Sequence, residues 1–336
     1  MKNQAWIIQH ASRGTYSPAC LKLEQSEVQS PRAGELLLRT ILLSLDPTSR
    51  NWLKLDPSSN VFGLAVGSVM IGAAVSEVVE SGSPDFTTGD LVVGMSGWER
   101  ISRVPAERVR KVEPGVPLEA NLTVFSHIGL AAVTGLIGVG NLRPTDTVVV
   151  SGAGGATGAI AVQVAVAHGA RVIGIAGGPE KCRLVADELG AESAIDYKSA
   201  DVEAELRRLC PGGVDLFFDN VGGGILDAVL MNLALHARIA VCGQMALYNS
   251  EDRHDGQGVR NLMELVFRRV RMEGFIAGEP AERLPEYWAE LTRLFHEGKI
   301  TSRPQIIPGI EKAPEALQLL FDGANTGKLI IEVSPP

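Results

Sequence analysis

The chain has 336 residues, enough for about two domains that each bury a core. Hydrophobic residues at 45% and charged residues at 21% are ordinary values for a folded protein. A net charge of −8 argues against a nucleic-acid partner, and no apolar run reaches the roughly 18 residues of a membrane span.

The opening residues, Met1 to Trp6, carry no apolar signal core, so the expected compartment is the cytoplasm. Residues 1 to about 120 are rich in strands and turn residues. Leu36–Leu45, Ala65–Glu80 and Asp90–Met95 read as strands, separated by Pro31–Gly34, Asp56–Ser59 and Ser81–Pro84. Such spacing predicts a small β-barrel or folded sheet, with Pro114–Pro117 as the best candidate boundary.

From Asn121 strands alternate with helices. Phe125–Gly140 reads as an apolar helix, followed by Thr147–Ser151, a β-branched strand that ends in glycines at 152, 154, 155 and 158. Further strands are predicted at Arg171–Ile175, Ala194–Tyr197, Val214–Val221, Arg238–Gly243 and Arg271–Ala277. Helices are predicted between them at Glu180–Leu189, Asp201–Leu209, Leu226–Leu233, Val259–Arg268 and Leu284–His296, with Gly190 and Gly298 as C-terminal caps. The alternation predicts a doubly wound parallel sheet. Gln305–Ile307 and Lys328–Val333 flank a helix at Pro314–Phe321, and the tail is expected to complete the sheet of the first domain.

The glycine turn Ser151–Gly158 lets backbone N–H groups approach a pyrophosphate at a helix N-terminus. The end of the next strand selects the cofactor. NAD enzymes place an acid there, whereas this chain reads Gly174-Ile175-Ala176-Gly177-Gly178-Pro179, with Lys181 in the following helical turn. A cation there opposes the helix dipole unless an anion compensates, which favours NADP(H); the plain alternative is a solvated lysine. Tyr197 ends the third strand and either meets the adenosine side or is an ordinary strand-end tyrosine. Asp219–Gly223 and Cys242, Gly243 and Gln244 close the next two strands and should border the cofactor, although capping a turn is the commoner duty of an aspartate such as Asp219. Cys20, Cys182, Cys210 and Cys242 are scattered, and no tight metal-ligand spacing occurs, so no metal site is expected.

Several motifs then occur in family order: Ser151–Gly158, Asp196-Tyr197-Lys198, Phe218–Gly223, Leu247-Tyr248-Asn249, Arg271–Phe275 and Gly323–Lys328. With Leu43–Pro47 and Gly94–Trp98, they resemble the medium-chain dehydrogenase/reductase superfamily, and within it the zinc-independent alkenal/one oxidoreductases. The resemblance implies an α/β fold: a Rossmann NADP(H)-binding domain over 123–299, and a GroES-like β-rich catalytic domain from 1–122 and 300–336. It also implies a homodimer. It places Ala156, Thr157 and Gly158 on the pyrophosphate, and Lys181 and Tyr197 on the 2′-phosphate. Gly152, Gly155 and Gly178 shape the same turns. Asn220, Cys242–Tyr248, Phe275, Ile276, Ala277 and Asn325 would surround the nicotinamide half. Zinc-dependent relatives carry Gly-His-Glu where this chain reads Val66-Gly67-Ser68-Val69.

The expected activity is NADPH-dependent reduction of the carbon–carbon double bond of an α,β-unsaturated ketone or aldehyde. Hydride reaches the β-carbon, negative charge gathers on the carbonyl oxygen, and the α-carbon takes a proton from solvent. Tyr248 is the candidate hydrogen-bond donor to that oxygen, or else an aromatic wall. Arg50, Trp52 and Trp98 are candidate pocket residues; the alternatives are an ion pair of Arg50 with Asp46 or Asp56, and ordinary core for the tryptophans. His127 reads as a buried, satisfied histidine. The loops around Thr48–Val61 and Asn249–Gly258 are the candidate substrate mouth and lid. Family members often have a tyrosine where this chain has Thr48, and another where it has Val133, so a relative's substrate does not carry over. Quinone reduction is the nearest rival activity, and a non-catalytic NADPH-binding sensor or scaffold is the rival class.

Overall fold

The computed structural model describes residues 1–12, 14–53, 63–250 and 258–336. In chain order, the first strands are β1 (Lys2–Ile8), β2 (Leu21–Glu27) and β3 (Glu35–Ser44), followed by the short helix α1 (Ser49–Trp52). Then come β4 (Ile71–Ser81), β5 (Leu91–Gly97), β6 (Ile101–Pro105) and β7 (Val109–Lys111). The helix α2 (His127–Val133) continues as a π-helical stretch, Thr134–Val139, and leads into β8 (Thr147–Ser151) and α3 (Ala156–Ala167). Next are β9 (Arg171–Ala176), α4 (Pro179–Arg183), β10 (Ser193–Asp196), α5 (Val202–Leu209) and β11 (Val214–Asp219). They are followed by α6 (Gly223–Leu230), β12 (Leu233–Val241), α7 (Met263–Arg268), β13 (Arg271–Gly274) and α8 (Leu284–His296). The tail holds β14 (Pro304–Pro308), α9 (Ala313–Phe321) and β15 (Lys328–Glu332).

The chain divides into two compact units. One comprises Met1–Leu122, a short stretch that begins at Tyr248, and Pro304–Pro336. Its main sheet runs β14-β15-β3-β4-β5-β7, with β6 also pairing β3, so the tail joins this sheet as expected. β15 lies antiparallel to β3, with Ile330 opposite Ser44. β3 supplies Leu36, Leu38, Ile41 and Leu43 to the core, the last packing with Trp98, Leu317 and Ile331. Where β3 ends, Lys328 donates to Asp46 Oδ1 at 2.5 Å and to the Leu45 carbonyl at 2.7 Å, so a buried ion pair ties the two chain ends of this sheet together. The unit ends at Leu122, past the Pro114–Pro117 turn.

The other unit holds Thr123–Leu247 and, of the later described residues, 258–303. Its sheet has the order β10-β9-β8-β11-β12-β13, parallel throughout among the described residues. Its central strands β8, β9 and β11 are buried on both faces, as parallel crossovers require, which is why they read as runs of valine, isoleucine and phenylalanine, whereas the edge strand β13 is largely exposed. The order reverses direction between β8 and β11, and ligands of such sheets lie over the strand ends at that switch point.

Several expectations need correcting. Residues 65–70 do not belong to β4, which starts at Ile71. β11 stops at Asp219, β12 at Val241 and β13 at Gly274, each short of the predicted end, because the next residues turn over the strand ends. His127 is exposed: Ser126 caps α2, and the helix turns Ile128 and Gly129 inward instead.

Candidate nucleotide and substrate site

The glycine turn after β8 is built for an anion. Gly152 has φ +60°, which a residue with a side chain adopts only under strain. A Cβ on Gly158 would stand 2.2 Å from the Gly152 carbonyl oxygen, so α3 can lie this close to the loop only with glycine at 158. The N-cap of α3 is Gly155, in extended conformation and with no capping side chain. The first-turn N–H groups of Ala156, Thr157 and Gly158 therefore point out of the helix without a side-chain acceptor, and the helix dipole favours negative charge there.

The turns that follow β8, β11 and β12 are knitted together. Ser151 Oγ donates to Asp219 Oδ1 at 2.8 Å and accepts from the Asn220 N–H at 2.8 Å, while Asn220 Nδ2 donates to the Ser151 carbonyl at 2.7 Å. Asp219 Oδ1 also accepts from the N–H groups of Val221 and Gly222, and the Asp219 carbonyl accepts from those of Cys242 and Gly243. Asp219 thus does cap a turn. Burial raises its carboxyl above the usual range, and Oδ2 has no partner among the described residues. Burial, with Asp219 as a second cause, pushes the Cys242 thiol up to about 12, so it is a neutral wall of this ring. Gln244 packs beside Gly222.

The expected phosphate-selecting residues follow β9 and β10. Gly178 has φ +90° and opens α4, which puts Lys181 in the first turn. A Cβ on Gly154 would stand 3.1–3.3 Å from the Lys181 side chain, so the lysine stem lies against the glycine turn. Tyr197 and Lys198 meet the other glycine: a Cβ on Gly177 would stand 2.8 Å from Tyr197 Cε1 and 3.1 Å from Lys198 Cε. Asp196 is occupied below them, accepting from the N–H groups of Gly178 and Lys198 and from Ser199 Oγ. Burial lowers the Lys181 ammonium below the usual lysine range, and the nearby charge of Lys198 lowers it further. Lys198 is the residue that sequence reasoning missed, although it stands in the same Asp196-Tyr197-Lys198 motif.

Phe275, Ile276 and Ala277 follow the C-terminal end of β13. Phe275 packs on Phe218, with ring centroids 6.1 Å apart, and both crowd Gly135, whereas Ile276 is exposed. In the other unit, Asn325 is buried and donates to the Gly327 carbonyl at 2.9 Å. Tyr248 is half-buried there, and its neighbour Asn249 accepts from the Tyr16 N–H.

Two pocket assignments do not survive. Arg50 is 0% exposed, and its guanidinium donates to the carbonyls of Ser12 and Gly14, so it holds the chain rather than a substrate. The expected partner Asp46 instead receives Lys328 and Ser44 Oγ, and Asp56 lies outside the described residues. Trp98 is also 0% exposed, inside the core with Met70 and Leu43. Trp52 is half-buried at the edge of that core. Of the proposed mouth and lid, residues 54–61 and 251–257 lie outside the described residues. Among the described residues, no three His, Cys, Asp or Glu side chains gather where they could hold a metal. No helix there is long and apolar enough to cross a membrane.

A glycine-turned parallel sheet with a switch point in one unit, and a β-rich sheet in the other, defines the two-domain dinucleotide oxidoreductase class. Two family models match: "N-terminal domain of oxidoreductase" over residues 4–112 and "zinc-binding dehydrogenase" over 156–297. NADPH-dependent curcumin reductase from Escherichia coli is 36% identical over 338 residues, covering 99% of this chain and 97% of that protein. The NADP(+)-dependent 2-alkenal reductase of Nicotiana tabacum is 38% identical over 305 residues, covering 90% of this chain and 88% of that protein. The crystal structure of CurA from Vibrio vulnificus in complex with NADPH matches with a TM-score of 0.91 at 33% identity, over 99% of this chain and 100% of that one. The chain belongs to the medium-chain dehydrogenase/reductase superfamily, among its zinc-independent alkenal/one oxidoreductases.

Proposed function

We propose that this protein uses NADPH to reduce the carbon–carbon double bond of α,β-unsaturated ketones and aldehydes. The observation that carries the reading is the pair of ammonium side chains, Lys181 and Lys198, set on Gly154 and Gly177 beside the glycine turn. The residues fit the cofactor: glycines where a Cβ would collide, an uncapped helix N-terminus, and two cations against Gly154 and Gly177 that would meet a 2′-phosphate. Curcumin, alkenal, pulegone and prostaglandin reductases among its relatives support the substrate class.

In this reading the turn of Gly152 and Gly155, with the N–H groups of Ala156, Thr157 and Gly158, holds the pyrophosphate. Lys181, Lys198, Tyr197 and Gly178 form the 2′-phosphate seat. Asn220, Cys242, Gly243, Gln244, Phe275, Ile276, Ala277 and Asn325 serve the nicotinamide half. Bound NADPH supplies the hydride. The protein's own catalytic contribution is charge stabilisation: the Tyr248 hydroxyl donates to the carbonyl oxygen of the enone, where negative charge develops, an effect worth about 2.7–4 kcal/mol for one well-placed donor. Trp52 and Tyr248 are the aromatic candidates left for the substrate wall.

In this reading the unit of Met1–Leu122 and Pro304–Pro336 is the catalytic domain and the unit that begins at Thr123 is the nucleotide domain, its C-terminal boundary lying after Arg303 rather than after residue 299. A homodimer suits the exposed end of the parallel sheet. β13 pairs only β12 among the described residues, and Met263, Val266 and Phe267 of α7 and Ile276 are 58–66% exposed. The four free thiols suit the cytoplasm, and the net charge of −8 suits a small-molecule partner rather than nucleic acid.

The test is turnover. Enzyme, NADPH and a panel of enones and enals, followed at the cofactor absorbance band with product analysis, should give the saturated ketone or aldehyde. Cofactor binding without consumption across the panel would overturn the reading, and reduction of quinones alone would replace it.

A further inference from the structure

The same parallel sheet has a cationic cleft at the opposite ends of its strands from the glycine turn. Asn141, Arg143, His236, Ala237, Arg238, Arg269 and Arg271 line a space of about 250 Å³ where β8, β12 and β13 begin. The chain as a whole is acidic, at −8, so this concentration of arginine is against the trend.

The backbone marks the same place. Among the described residues, those other than glycine with left-handed backbone are Asn141, His236 and Arg269, at φ +46°, +63° and +53°, and all three line this cavity. Such conformations persist where the surroundings over-determine them, and they gather at binding sites. His236 sits where β12 loses register against β11, between Val214↔Leu233 and Leu216↔Arg238. Arg269 is the C-cap of α7.

The arginines divide into two kinds. Arg238 bridges Asp146 and donates to the carbonyls of Gly140, Asn141 and Asp215, while Arg271 donates to the Val139 carbonyl and lies 3.8 Å from Glu273. These two cap the carbonyl end of the π-helical stretch and cancel its negative dipole. The side chains of Arg143 and Arg269 make no hydrogen bond or ion pair among the described residues. Guanidinium forks and an imidazole lining one cleft are the kind of donors that the oxygens of a phosphate chain take.

We propose that this cavity is a second anion site, built for a diphosphate group and separate from the nucleotide site. The cleft is open to solvent, and its volume of about 250 Å³ admits a diphosphate, either free or as the end of a nucleoside diphosphate.

The experiment is calorimetric titration of the enzyme held saturated with NADPH, whose own binding is measured first. Pyrophosphate is titrated in one arm and ADP in the other, against wild type, Arg143→Gln, and Arg143→Gln with Arg269→Asn. Asparagine tolerates the left-handed backbone, and Arg143 is exposed before a strand, so the fold is kept. The expected result is one diphosphate per chain in the presence of NADPH, weakened about tenfold or more in the double variant and less in the single one. The unliganded melting temperature should stay unchanged. Tighter binding of ADP than of pyrophosphate makes a nucleotide the source, and the reverse order makes it free diphosphate; both support the site. Loss of binding once NADPH is present, or equal binding by wild type and double variant, would overturn it.

Discussion

Two lysines of this chain live under opposite electrostatics. Lys328 is wholly buried, which pulls its ammonium down, but Asp46 at 2.5 Å pulls it back up. Lys181 is also pulled down by burial, and the second cause is another cation, Lys198. A buried cation answered by an acid completes a fold, because the pair carries no net charge to the outside. A half-buried cation with a second cation beside it gains when an anion is bound, which is what a ligand seat requires.

The comparison breaks most visibly at the structural pair. Asp46→Asn should destabilise the protein by about 3–5 kcal/mol, because it leaves a buried ammonium without its counter-charge. Urea unfolding would measure it, and replacing both partners by apolar residues, Asp46→Leu with Lys328→Met, should recover most of the loss.

At the ligand seat the effect moves from stability to affinity. Lys181→Ala should weaken NADPH binding about 30-fold, roughly 2 kcal/mol, with NADH binding and the melting temperature nearly unchanged. Lys198→Ala should weaken NADPH less, about fivefold, since its side chain is more exposed and better screened.

The smallest effect is a pH slope. Lys181 is lowered in the free protein, and a bound phosphate would raise it again. Below the lowered value the ammonium is charged in both states, so affinity is flat. Above it, binding must take up a proton, so NADPH affinity falls as pH rises, while NADH affinity does not. Lys198→Ala removes the like charge and should shift the fall to higher pH, which titrations across the alkaline range would show.

Much of this was legible in the sequence, and for identifiable reasons. The central parallel strands are buried on both faces and announce themselves as apolar runs, and the amphipathic helix at Leu284–His296 falls where its pattern puts it. The overrun ends of β11, β12 and β13 were less legible, because the small residues that leave a strand to form a ligand turn look like strand until geometry is known. Arg50 illustrates the harder limit. Its partners are backbone carbonyls of Ser12 and Gly14, and a carbonyl has no sequence signature, whereas an aspartate partner would have. Trp98 failed for a related cause: burial in a core and burial in a pocket require the same residue. Lys198 was missed because its closeness to Gly177 comes from the turn after β10, not from the spacing of the lysines.

The most direct measurement is kcat/KM for one enone with NADPH and with NADH, on the wild-type enzyme and on the variant with both Lys181→Ala and Lys198→Ala. The account predicts a wild-type preference for NADPH of about 100-fold or more, collapsing towards parity in the double variant through KM with kcat retained. Equal use of both cofactors by the wild-type enzyme, or a preference that survives removal of both ammonium groups, would contradict it.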